Sequence, residues 1–198
     1  MEYDVTYLEK QMAKEISHGI CVSNLAYRVA KELGLTKEQC YEMAVAGMLH
    51  DVGKLEVWKY ICRQEDTLNI EEMRYVRSHS TLSYTMLVEA GYSEFILESI
   101  LYHHENYDGT GYPSNRAGQE IPIGARILRV CDVFAALISD RPYRRAFSLG
   151  TAVELMIEEV KNFDMKVFLA FLTVIHREGI EELLDKDEWV LELEEDIL

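Results

Sequence analysis

At 198 residues with 48% hydrophobic content, the chain can bury a proper core and reads most simply as one domain over 1–198, its last stretch, 181–198, being an acidic tail. The formal net charge of −15, from 35 acidic against 20 basic side chains, repels phosphate backbones and anionic lipid, which argues against polymeric nucleic acid and membrane surfaces as partners. The start "MEYDVTYLEK" lacks a basic flank and an apolar core, and the longest apolar run, Val167 to Ile175, is too short to span a bilayer, so a cytoplasmic protein is expected.

In chain order, the pattern is helical throughout. Val22, Leu25 and Val29 recur at helical spacing, and "ELGLTKEQC" supplies Gly34 as a stop followed by Thr36 and Gln39 as a capping box. "MLHDVGK" reads as a helix end with Gly53 as its C-cap, and Asn69 with Glu72, then Ser93 after Gly91, mark further helix starts. Ile96, Ile100 and Leu101 lead into a long loop from about Glu105 to Ile121. Beyond it Ile127, Val130, Cys131, Phe134 and Leu137 form one apolar face, and Ser148 and Asp164 open the last helices. All three prolines, Pro113, Pro122 and Pro142, fall in one segment, leaving the flanks free of the strongest helix breaker. The expected fold is all-α, an irregular bundle of seven or eight helices. Cys21, Cys40, Cys62 and Cys131 show no CxxC spacing and read as reduced small hydrophobes.

Five of the six histidines and two aspartates sit where charge and polarity are out of place. His18 shares a face with Val22, Leu25 and Val29; His50 and Asp51 end a helix; His79 shares a face with Leu82 and Met86; His103 and His104 follow Ile96 and Ile100; Asp132 lies mid-helix in "ILRVCDVFAAL". A lone histidine on such a face is more often a satisfied core residue than a ligand, and a lone buried carboxylate demands a partner. The set is less easily dismissed: the clusters are separated by 24 to 32 residues, about one helical hairpin each. His and Asp converging from successive helices is how bundles build two-metal sites, and a pair such as His50 and Asp51 suits one in which a carboxylate bridges both ions. Adjacent His103 and His104 can both reach metal where a helix end unwinds. Six of eleven arginines fall between Arg116 and Arg145, a local basic segment in an acidic chain.

The order of "HDVGK", the histidine of "RSHS", "HHENYDGTGYP", "IPIGARILRVCDVFAAL" and "DRPYRRAFS" resembles the HD-GYP branch of the bacterial HD-domain phosphohydrolases, over residues 10 to 175. The resemblance implies an all-helical fold and a metal-dependent phosphodiesterase that hydrolyses the second messenger cyclic di-GMP to pGpG or GMP through a hydroxide activated by two metals. It implies metal ligands His18, His50, Asp51, His79, His103, His104 and Asp132, with Asp51 as bridge. Lys54 would sit near the scissile phosphate, Tyr112 would line the pocket, and Arg141 and Arg144 would contact phosphate or guanine. The cofactors expected are two divalent transition metal ions, iron or manganese first, with zinc, nickel or magnesium as alternatives. Glu105 reads as orienting a ligating histidine. A protein partner at the GYP loop and a homodimer are compatible with the same resemblance.

The chain departs from the family pattern in three places. Lys14 stands where a glutamate supports a third ion. Ala135 replaces the second aspartate of DxxDAL, and restoring aspartate there is expected to raise turnover. Ser80 and Ser83 replace a proline and a glycine, read as a packing difference. Two alternatives therefore stand beside the phosphodiesterase: a weakened domain that binds a cyclic dinucleotide or a protein, and an HD phosphohydrolase acting on another phosphoester.

Overall fold

The computed structural model describes residues 5–61, 70–140 and 144–178. Among them are nine α-helices: α1 (Val5–Glu32), α2 (Lys37–Leu49), α3 (Lys54–Ile61), α4 (Ile70–Arg77), α5 (His79–Glu89), α6 (Glu94–Leu101), α7 (Ile123–Leu137), α8 (Leu149–Glu158) and α9 (Met165–Glu178). The all-α expectation holds; the count passes eight because two eight-residue helices, α3 and α4, precede α5. Cys62, Asn69, Arg141 and the segment 181–198 lie outside the described residues.

Local chemistry sets most boundaries. Gly34 ends α1, its N–H donating to Lys31 O while Leu35 N–H reaches back to Ala30 O, the paired closure of a Schellman turn. Thr36 then caps α2 in a reciprocal box with Gln39, and Ser93 and Ser148 cap α6 and α8 through their hydroxyls. Asp164 opens α9 by accepting from Lys166 N–H at 2.8 Å.

The core lies around α7, which packs against α1, α2, α6, α8 and α9. Leu25, Val29, Ile100, Ile127, Phe134 and Phe171 are buried there, each such side chain stabilising the fold by roughly 1.5–3 kcal/mol. The functional consequence is positional. Because α7 is anchored along its length and α1 from His18 onward, polar residues on their inward faces are held by the core itself. The loop between α6 and α7 is fastened at several points: Tyr107 N–H donates to Asn162 O at 2.9 Å, Gly118 N–H to Tyr107 O at 2.9 Å, and Tyr102, Ile121 and Ala125 bury a small cluster beneath it. No helix among the described residues is long and apolar enough to cross a membrane.

Candidate metal centre

The seven His and Asp side chains singled out in the sequence come together. His18 projects from α1, His50 and Asp51 from the turn after α2, His79 from the first position of α5, His103 and His104 from the unwound end of α6, and Asp132 from α7. Their donor atoms form two groups, each with members within 4.8 Å of one another: Asp51, His79, His103 and His104 in one, His18, His50 and Asp132 in the other. Asp51 lies between them, with Oδ1 3.1 Å from His79 Nε2 and Oδ2 3.2 Å from His50 Nε2. Asp132 Oδ1 is 3.0 Å from His18 Nε2 and 3.7 Å from His50 Nε2.

The imidazoles are oriented by one repeated local device. Nδ1 of His50, His79 and His103 meets the carbonyl three residues earlier, Gly47 O at 2.7 Å, Val76 O at 2.6 Å and Ile100 O at 2.6 Å. A carbonyl can only accept, so each Nδ1 carries a proton and each ring turns its Nε2 inward, bare whenever the ring is neutral. Yet His79 Nε2 lies 3.4 Å from His103 Nε2 and 3.1 Å from His104 Nε2. The lone pairs of neutral His79 and His103, facing at that distance, repel unless a cation lies among them, while His104 Nε2 can meet His79 either as a hydrogen-bond donor or as a fellow ligand. His18 Nδ1, His50 Nε2 and Asp51 Oδ1 are also buried without a hydrogen-bond partner. These residues therefore fit a divalent metal, and imidazole with carboxylate is a donor set that suits such ions.

Electrostatics agree with that fit. Burial holds His103 well below the usual histidine range and takes His104 down to about 3, helped by neighbouring imidazoles, so both stay neutral and able to ligate. Burial also opposes charge on His50, but the Asp51 and Asp132 carboxylates outweigh it and push the ring up to about 10. Metal binding at that group competes with the His50 proton. Burial would raise Asp51 and Asp132, yet the cationic and hydrogen-bonding neighbours, His50 and Lys54 for the first, His18 and His50 for the second, keep both well below the ordinary carboxylate range. Lys54 Nζ is paired with Asp51 and lies 3.5 Å from Glu15 Oε2.

Four expectations from sequence change on the structure. Gly53 does not cap α2, whose C-cap is His50, and its φ is not in the left-handed region. Its real constraint is space: a Cβ there would lie 2.3 Å from His79 O and 2.6 Å from Ser83 N. Ser83 is more than packing, because its hydroxyl accepts from Gly53 N–H at 2.8 Å and donates to His50 O at 2.9 Å, tying α5 to the metal turn. Glu105 orients no histidine among the described contacts; buried, it accepts from Ser114 N–H at 2.6 Å and fastens the GYP loop. Ala135 is fully buried in the apolar core, so an aspartate there would be desolvated, and any gain in turnover would come with a cost in stability.

The remaining sequence candidates divide. Tyr112 stacks on His104, with ring centroids 4.7 Å apart, and its N–H donates to His104 O at 3.2 Å. That contact needs Gly111, where a Cβ would lie 2.3 Å from Asn106 N. Arg144 is engaged in ending α7: its Nη1 donates to Leu137 O at 3.0 Å and its Nη2 to Ala136 O at 2.8 Å, which occupies it with structure. Lys14 is exposed, while Glu15 beside it faces Lys54, a placement that no motif signalled. An apolar cavity of about 170 Å³, lined by Met12, Ile16, Met48, Leu55 and Trp58, borders the centre at Glu15, His50 and Asp51.

The sequence pattern of the HD domain matches residues 4–167. The chain belongs to the HD-domain family. Within that family the relatives are of the HD-GYP type. The HD domain is 36% identical over 159 residues to the cyclic di-GMP phosphodiesterase PA4108 of Pseudomonas aeruginosa, covering 80% of this chain and 38% of that protein. It is 38% identical over 154 residues to 3'3'-cGAMP-specific phosphodiesterase 1 of Vibrio cholerae, covering 76% of this chain and 36% of the other. The HD domain thus spans little more than a third of these relatives. In fold it is similar to Bd1817, an HDG"Y"P protein of Bdellovibrio bacteriovorus, with a TM-score of 0.64 at 19% identity over 80% of this chain and 51% of that one.

Proposed function

We propose that this HD domain is a metal-dependent phosphodiesterase that opens a cyclic dinucleotide, cyclic di-GMP or its close relative 3'3'-cGAMP. The observation that carries the reading is Asp51, whose two oxygens face the two groups of donors from 3.1 and 3.2 Å. One carboxylate between two clusters is the arrangement a two-metal hydrolase requires. The names of the similar proteins, one a cyclic di-GMP phosphodiesterase and one specific for 3'3'-cGAMP, support the substrate class.

Two divalent ions, iron or manganese by the imidazole and carboxylate donors, would activate water near neutral pH and offset charge on the phosphoryl oxygens. His18, His50 and Asp132 would hold one, and His79, His103 and His104 the other, with Asp51 shared. The chain's own residues do the rest. Lys54, held by Asp51 and Glu15, presents an ammonium beside the centre and would bind the scissile phosphate as a compact charge. Tyr112, fixed against His104, would wall the pocket, and burial keeps its phenol protonated and able to donate.

Protein purified anaerobically and supplied separately with Fe(II) or Mn(II) is expected to convert cyclic di-GMP or 3'3'-cGAMP to a linear dinucleotide or mononucleotide, with two metals bound per chain. Two bound metals with no product from either nucleotide would overturn the reading. Ala135, apolar and fully buried where relatives of this pattern carry a second aspartate, favours one other outcome, binding of the nucleotide without turnover. Nucleotide binding without product in the same samples would establish it.

A further inference from the structure

A cyclic dinucleotide carries two phosphates, and only one can be cut at a time. The cavity beside His50 and Asp51 is lined without a lysine or arginine, and Lys54 is already paired with Asp51, so the second phosphate must find positive charge elsewhere. The described arginines separate by what already engages them. Arg116 stacks over Tyr102 at 3.9 Å, Arg126 is paired with Asp164 at 2.5 Å, and Arg144 is held by the carbonyls ending α7.

Two others meet the GYP loop. Arg77, exposed at the end of α4 and two residues before His79, sets its guanidinium 5.3 Å from the centre of the Tyr112 ring. Arg129, one turn before Asp132 on α7, donates through Nε to Asn106 Oδ1 at 3.0 Å, in the loop that follows His104. Among the described residues neither guanidinium has a carboxylate in salt-bridge range, and the Nη nitrogens of Arg129 have no acceptor. Guanidinium groups reaching one loop from two helices can fork onto phosphate oxygens.

The geometry points to Arg77 and Arg129 as the clamp for the second, uncleaved phosphate of a two-phosphate nucleotide, an assignment that rests on the phosphodiesterase reading above. A substrate with one phosphodiester, such as bis(p-nitrophenyl) phosphate, has nothing to offer this clamp. The test is the ratio of kcat/KM for the cyclic dinucleotide to kcat/KM for bis(p-nitrophenyl) phosphate, measured on metal-loaded wild type, Arg77→Gln and Arg129→Gln, with metal content and melting temperature recorded for each. Each substitution is expected to lower the ratio about tenfold, mainly through KM for the dinucleotide, as loss of one charge-assisted contact should. Arg129→Lys should recover part of the loss. Wild-type turnover of the dinucleotide with the ratio unchanged in both variants overturns the clamp alone. Wild type that neither binds nor hydrolyses either cyclic dinucleotide removes the phosphodiesterase reading and the clamp with it. Because Arg77 is exposed, its variant tests the assignment even if Arg129→Gln fails to fold.

Discussion

The two donor groups are built by different means. His18 and Asp132 stand on the inward faces of α1 and α7, helices packed into the core on either side of these residues or from them onward, so the bundle itself sets their 3.0 Å separation. His79 and His103 stand at helix ends, where Nδ1 bonds to the preceding turn, and His104 beside them is backed by Tyr112 of the GYP loop; His50, in the first group, stands in a turn of the same kind that Ser83 braces. The first group inherits the stability of the core. The second depends on a few hydrogen bonds, and it is also the group beside which Tyr112 sits. A rigid half joined to a half assembled from turns lets the turns be shaped by a ligand while the shared Asp51 stays in register.

That contrast can be broken most completely at Asp51. Asp51→Ala is expected to abolish hydrolysis and to reduce metal content in both groups, read by elemental analysis of the purified protein; undiminished turnover in a metal-loaded sample would remove the two-metal assignment. His18→Ala and His103→Ala should separate the halves. Each is expected to lower bound metal from two toward one per chain, with a loss of activity larger than the ~10–100-fold typical of outer-shell partners.

Ala135→Asp probes the rigid half without touching a donor. Burying an unpartnered carboxylate in the core around α7 is expected to cost about 3 kcal/mol and lower Tm by roughly 6–12 °C in a metal-loaded sample. An unchanged Tm would show that the position can open to the site. Ser83→Ala probes the turn that carries His50 and Asp51. It leaves Gly53 N–H buried without its partner and frees His50 O, for a loss of about 1–3 kcal/mol in urea denaturation and a smaller fall in activity than any donor substitution.

The smallest effect is on pH dependence without metal. His104, lowered by burial to about 3, binds its proton in the unfolded chain first, so stability is lost as pH falls from about 6.5 toward 3. His50, raised to about 10 by its carboxylates against burial, does the reverse: its contribution is present below about 6.5 and is lost as pH rises through 10. Urea midpoints of chelator-treated protein are expected to be higher at pH 7 than at pH 5 or pH 9. A midpoint that climbs steadily from 5 to 9 would contradict the balance between these two histidines.

The helices and the candidate donors were legible in one dimension. Periodicity, the capping box at Thr36, the stop at Gly34 and hydroxyl caps at Ser93 and Ser148 are local effects, complete within a few residues, and so they are legible in one dimension. The donors were legible because His and Asp on apolar faces are costly and therefore conspicuous. The rest depends on contacts between residues that the packed helices bring together. That Gly53 answers to His79 and Ser83 rather than to α2, that Ser83 braces the metal turn, that Glu105 fastens the GYP loop and that Arg144 ends α7 are all contacts across 7 to 33 residues. A residue type names what a side chain can bond; which carbonyl, amide or ring lies within 3 Å of it is fixed only when the helices pack.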